Sequence, residues 1–169
     1  MNMKKESEES KKTISIIGPS FRFLSGISYY TVSLSNALSS HFKINAVLFR
    51  NMLPKKLFPG SNRVGTNLSN LEYLPEINKQ ELLDWYNPFS WHHAVKSIKN
   101  SRSCIFEWWT SSVSHMYLWI GLGLHLRKIP IVLEFHEVVD TLEEAILPIR
   151  IYSKIMGRLI RKLASKYVV

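Results

Sequence analysis

The chain predicts a doubly wound parallel α/β sheet, Rossmann-like and three layers deep (α/β/α), on three observations. Its first regular stretch, residues 13–38, runs from the β-branched strand Thr13-Ile14-Ser15-Ile16-Ile17 through Gly18-Pro19 and Ser25-Gly26. It continues into a helix with Ile27, Tyr30, Leu34 and Leu38 at helical spacing. Further along, short apolar strands alternate with helical stretches, the pattern of a parallel sheet with helices on both faces. Finally, 169 residues suffice for one such domain with a sizeable core and are too few for two.

Taken in order, the elements are as follows. Residues 1–12 are charged and poor in apolar side chains, a disordered tail ahead of a domain spanning 13–169. After the first strand, loop and helix, residues 44–49 form a second strand. Residues 50–78 are then irregular, with Pro54, Pro59-Gly60, Gly65 and Pro75, a long insertion of the kind that is functional, variable or disordered. Asn87-Pro88-Phe89-Ser90 opens a helix that Trp91, Val95 and Ile98 continue to about Asn100. Cys104-Ile105-Phe106-Glu107 is a strand, residues 113–127 a strongly apolar helix, and residues 131–135 a strand ending at His136-Glu137. Pro148 precedes a last helix over residues 149–166, and Tyr167-Val168-Val169 begins another strand.

That last helix carries Ile151, Tyr152, Ile155, Met156, Leu159, Ile160 and Leu163 on one face, which should be core. Arg150, Lys154, Arg158, Arg161, Lys162 and Lys166 line the other, either as a solvated stripe or as a dock for anionic lipid headgroups. Hydrophobic residues make up 46% of the chain, but the longest apolar run, residues 116–124, is too short for a bilayer and is broken by Gly121 and Gly123. With no signal-peptide pattern and a single cysteine, Cys104, a cytoplasmic location is expected, either free or peripheral at the inner face of the membrane. A net charge of +9 suits an anionic partner without choosing one. No nucleic-acid-binding motif is present, so a specific nucleic-acid partner is not expected.

In a doubly wound sheet, ligands bind outside the carboxyl ends of the strands where strand order reverses. Residues 18–26, 107–112 and 136–140 should therefore meet. The loop from Gly18 to Gly26 lacks the three closely spaced glycines of a dinucleotide fingerprint and the lysine with Ser/Thr of a P-loop, which disfavours NAD, FAD and NTP hydrolysis. What remains is a helix start with small residues, open to a phosphate or a sugar hydroxyl. His136-Glu137-Val138-Val139-Asp140 lacks the second histidine of the zinc-binding helix signature, and His92-His93 point apart on a helix, so no metal site is expected.

Several motifs in order carry a resemblance. Ile16-Ile17-Gly18-Pro19, Ser25-Gly26-Ile27-Ser28-Tyr29-Tyr30-Thr31, Phe58-Pro59-Gly60, Asn87-Pro88-Phe89-Ser90-Trp91, Glu107-Trp108-Trp109-Thr110 and Phe135-His136-Glu137 together resemble the N-terminal half of a family 4 glycosyltransferase of the GT-B fold. The resemblance covers residues 13–169. It implies sugar transfer from a nucleotide-sugar co-substrate, with no required metal and no other cofactor, to a glycan or lipid-linked acceptor. The N-terminal half of such enzymes holds the acceptor, and the C-terminal half binds the donor. The resemblance thus implies a donor-binding half, absent from these residues, as partner, the chain being a split or truncated enzyme that is inactive alone.

On that basis His136 is the candidate catalytic residue, its imidazole suited to proton traffic or to a hydroxyl contact; the alternative is that it satisfies a loop carbonyl, and its place at a strand's carboxyl end favours the ligand role. Arg22, Ser25, Gly26, Ile27, Glu107, Trp108, Trp109 and Glu137 are the candidate substrate-binding residues. Ser25 departs from the Gly-Gly pair common in the family, and its Cβ narrows the approach. Glu107 and the tryptophans stand where many members place His or Asp. Trp108 and Trp109 would stack on a sugar ring or simply pack. The rival class is a non-catalytic module for anionic lipid headgroups or a partner protein.

Overall fold

The computed structural model describes residues 11–20, 26–51, 72–136 and 146–168. The tail over residues 1–10, Arg22, Ser25, the Phe58-Pro59-Gly60 motif, Glu137 and Asp140 lie outside them. Strand β1 (Thr13–Gly18) leads to helix α1 (Gly26–Ser39) and strand β2 (Lys43–Asn51). Strand β3 (Asn78–Asp84), helix α2 (Pro88–Ile98) and strand β4 (Ser103–Trp108) follow. A single 3-10 turn, Ser111–Val113, runs into helix α3 (Ser114–His125). Strand β5 (Ile131–Phe135), helix α4 (Leu147–Leu163) and strand β6 (Lys166–Val168) complete the order.

All described strand pairs are parallel, and the six-stranded sheet has the order β3-β2-β1-β4-β5-β6. This is the doubly wound Rossmann-like arrangement, and its order reverses between β1 and β4. One face of the sheet presents Ile17, Val47, Phe49, Phe106, Trp108, Ile131 and Leu133 to a core shared with α2, α3 and Ile160 of α4. The other presents Ile14, Ile16, Ile44, Ala46 and Leu48, covered by Leu34 and Leu38 of α1. Burial on both faces explains why β1 and β2 are apolar apart from the register pair Ser15 and Asn45 and the ends of the strands.

Helix α3 is the middle helix of its layer, and its two glycines make room for both neighbours. A Cβ on Gly123 would lie 3.0 Å from Val95 of α2, and one on Gly121 would lie 3.1 Å from Leu163 of α4. The helix ends in a Schellman cap in which Ile129 N donates to Leu124 O and Lys128 N to His125 O. The turn puts Lys128 in the left-handed region at φ 57°. Helix α2 begins as expected, with the Asn87 side chain accepting from Phe89 N at 3.0 Å and Pro88 in the first turn.

The structure corrects the sequence reading in four places. No element is expected over residues 79–86, yet β3 occupies Asn78–Asp84 at the sheet edge. Its polar residues join a partly buried hydrogen-bond network around Asn45 rather than the apolar core. Asn78 Nδ2 and Gln80 Nε2 donate to Asn45 Oδ1, while Asn45 Nδ2 donates to Ser15 Oγ at 3.1 Å and Ser97 Oγ at 3.2 Å. Ser15 and Ser101 share a hydroxyl pair at 2.7 Å. The tail ends earlier than residue 12, because Lys11 Nζ donates to Ser39 O and Lys12 O accepts from Lys43 N. Helix α4 stops at Leu163, since Ser165 N already donates to Ile131 O and draws the chain into β6.

The fourth correction concerns the apolar face of α4, which is only partly core. Gly157 and Ile160 are buried and Tyr152, Met156 and Leu163 half-buried, whereas Leu147, Ile151, Ile155 and Leu159 are 64%, 52%, 49% and 39% exposed. The helix is rolled so that its smallest residue, Gly157, lies inward, which leaves a row at four-residue spacing on the outside. None of the described helices is long and apolar enough to cross a membrane.

Candidate functional site

The site is built by two strands, each with a carboxylate one residue before its end. In β4 and β5, Phe106 and Leu133 point to the core shared with α2–α4, so the alternation of a strand sends the next residues, Glu107 and Glu134, to the opposite face, under α1. The two glutamates are register partners, and they are 0% and 7% exposed. Parallel strands place them side by side at the carboxyl end of the sheet, next to the switch point.

Helix α1 orients both groups. Thr31 Oγ1 lies 2.5 Å from Glu107 Oε2 and 2.8 Å from Ile27 O. The Thr31 hydroxyl thus stands between two acceptors, its one hydrogen available to the Glu107 carboxylate or to the Ile27 carbonyl. Burial pushes the Glu107 carboxyl up to about 8; the Thr31 hydrogen bond opposes the rise and the Glu134 charge adds to it. The Tyr30 hydroxyl donates to Glu134 Oε1. Burial, that bond and the charges of Glu134 and Glu107 raise the Tyr30 hydroxyl to about 12.

His136 follows β5, its backbone N donating to Trp108 O at 2.9 Å and its ring standing edge-on to Tyr30 at 4.7 Å between centroids. Burial lowers its pKa, and the Glu134 charge resists. Its Nε2 and Glu107 Oε1 are buried with no hydrogen-bond partner. Gly18 closes the floor, since a Cβ there would lie 2.9 Å from both Thr31 Cγ2 and Glu107 Cδ. The chemistry available is that of two carboxyls and an imidazole, held by hydroxyls at the carboxyl end of β4 and β5.

Among the expected site residues, the structure brings Glu107 and His136 together, next to Gly18 at the end of β1. Gly26 starts α1 on the surface with open space around it, and half-buried Ile27 contributes its carbonyl to Thr31. Trp108 and Trp109 are buried in the aromatic core. Trp108 is stacked on Tyr117 at 5.9 Å, and Trp109 lies edge-on to Phe49 at 5.1 Å, so packing describes their surroundings. Arg22, Ser25 and Glu137 lie outside the described residues. Sequence reasoning passed over Glu134, Tyr30 and Thr31 as site residues. The available signal was a carboxylate near the end of each of two buried strands, in Cys104-Ile105-Phe106-Glu107 and Ile131-Val132-Leu133-Glu134.

Comparison with known proteins finds no match among protein-family models and none among curated proteins. Among solved structures, the chain is similar to a wide-type short-chain dehydrogenase/reductase from Veillonella parvula, determined in complex with NADP. The TM-score is 0.51 at 10% identity, covering 92% of this chain and 66% of that one. The chain thus spans slightly less than two thirds of that protein's length. At this identity the similarity shows the fold, a three-layer α/β/α Rossmann-like domain.

Proposed function

We propose that these residues form the acceptor-side half of a GT-B glycosyltransferase, which receives a glycan or lipid-linked hydroxyl at the carboxyl end of β1, β4 and β5. The observation that supports this reading is the convergence of Gly18, Thr31, Glu107 and His136, which come from four separate motifs of the family 4 resemblance, at one crevice beside the switch point. Buried carboxyls beside a half-buried imidazole suit the orientation of a sugar hydroxyl. Charge stabilisation of the leaving nucleotide diphosphate belongs to a donor-binding half outside these residues. The loop between β1 and α1 lacks the glycine fingerprint that would bring a dinucleotide pyrophosphate onto the α1 start.

The test is co-expression with a donor-binding polypeptide, followed by nucleotide-sugar turnover and, on the chain alone, NADPH fluorescence titration. Complex formation with sugar transfer supports the proposal. Full transfer by the isolated chain, or saturable NADPH binding by it, overturns it.

A second reading, a module that docks on anionic lipid surface, is favoured by one observation. The exposed row Leu147, Ile151, Ile155 and Leu159 lies between the buried face of α4 and its exposed basic residues Arg150, Lys154, Arg158, Arg161 and Lys162. An apolar strip flanked by cations is the composition of a helix lying in the headgroup layer. The two readings are compatible, because a lipid-linked acceptor is presented at such a surface.

A further inference from the structure

We propose that Glu107, Glu134 and His136 form a site for one divalent cation of the zinc, cobalt or manganese class. One ligand atom from each residue lies within 4.8 Å of the other two. The site differs from an ordinary cluster of acidic residues in two respects. It includes an imidazole, and two of its donor atoms, Glu107 Oε1 and His136 Nε2, are buried with no partner, where buried polar atoms ordinarily have one. Glu107 itself is wholly inaccessible to solvent.

The surroundings are those of a ligand set held from outside. Thr31 contacts the second oxygen of Glu107 and Tyr30 donates to Glu134, while Gly18 leaves the space that Glu107 fills. Such outer hydrogen bonds fix the orientation of metal-binding side chains. One nitrogen and two carboxylates select borderline metals over magnesium and calcium, which prefer all-oxygen shells. Ligand bonds of about 2.0–2.2 Å set neighbouring donors roughly 3.4 Å apart on a tetrahedral ion, so side-chain shifts on the order of 1 Å complete the coordination.

Three protein ligands leave a fourth position open to water or to a ligand hydroxyl. The ion would hold the ends of β4 and β5 together at the carboxyl end of the sheet. The site stands on this geometry and does not rest on the glycosyltransferase reading, whose family resemblance implies no required metal.

The experiment is isothermal titration of the full chain, freed of metal by chelator, with zinc, cobalt, manganese and magnesium chlorides. Cobalt absorption in the visible region provides a second readout on the unmutated protein. We expect one ion per chain, cobalt bands of a mixed nitrogen–oxygen ligand set, and affinity weakened about tenfold or more by His136→Gln and by Glu134→Gln. The double variant His92→Gln/His93→Gln, at the other histidine pair, should bind as the parent does. The proposal is overturned by absence of saturable binding up to about 1 mM or by undiminished binding in His136→Gln and Glu134→Gln with native far-UV circular dichroism. Loss of binding in the His92/His93 variant, or magnesium binding as tightly as cobalt, overturns it equally.

Discussion

Glu107 and Glu134 stand directly opposite one another on neighbouring parallel strands, both facing α1 and both shielded from water. Burial holds the proton on Glu107, and the Glu134 charge adds to the hold. Glu134→Gln removes that charge and keeps an oxygen to accept from Tyr30. In metal-free protein it should therefore lower the Glu107 pKa from about 8, read from the carboxyl carbon chemical shift against pH. An unchanged or raised pKa would mean that the Glu134 charge does not act on Glu107.

Gly18→Ala should destabilise by about 1–3 kcal/mol, the usual cost of overpacking. The added methyl would meet Thr31 Cγ2 and Glu107 Cδ at 2.9 Å, on a strand hydrogen-bonded to both neighbours. Gly26→Ala is the matched control, since nothing lies within 4 Å of its added carbon, and its urea midpoint should stay within about 0.5 kcal/mol of the parent.

Lys128→Gly should raise the melting temperature. Lys128 occupies the left-handed position of the α3 cap at φ 57°, where a Cβ is unfavourable and glycine is not. The gain expected is about 0.5–1 kcal/mol, the greater freedom of glycine in the unfolded chain offsetting part of the relief. Calorimetry on both proteins measures it.

Asn45→Ala should cost about 1–3 kcal/mol, read from urea unfolding, because it removes a buried amide and leaves buried Ser15 and the part-buried Gln80 and Ser97 without that partner. Asn78, Gln80, Ser15 and Ser97 all bond to the Asn45 side chain.

Ile151→Glu combined with Ile155→Glu should abolish sedimentation with phosphatidylserine vesicles and leave thermal stability nearly unchanged. Both side chains are about half exposed and contribute little to the core. Unaltered sedimentation would count against the lipid-surface reading, as would equal binding to neutral vesicles.

The sequence made the fold legible where burial is two-sided and caps are explicit. The β-branched residues of β1, the Asn87-Pro88 start of α2 and the helical spacing of α1 all lie where patterning placed them. Strand β3 was hidden because its Asn78 and Gln80 satisfy Asn45 instead of facing an apolar core, so no two-residue apolar period marks it. The surface of α4 was misjudged because amphipathicity shows that a helix has an apolar side but not how far the domain rolls over it. At the site, Glu107 and His136 were legible from their places at strand ends. Glu134 was not, since only the register of β4 with β5 reveals it as the neighbour of Glu107.

The amide and hydroxyl network around Asn45 lies at the amino end of the sheet, and the carboxyl cluster at the other. On β1 they are separated by the span from Ser15 to Gly18, roughly 10 Å at about 3.3 Å per residue. At such distances energetic effects add, so the double variant Asn45→Ala/Glu134→Gln should show the sum of its single effects. The ligand end of this sheet is therefore free to change its chemistry without renegotiating how the strands are joined at the other.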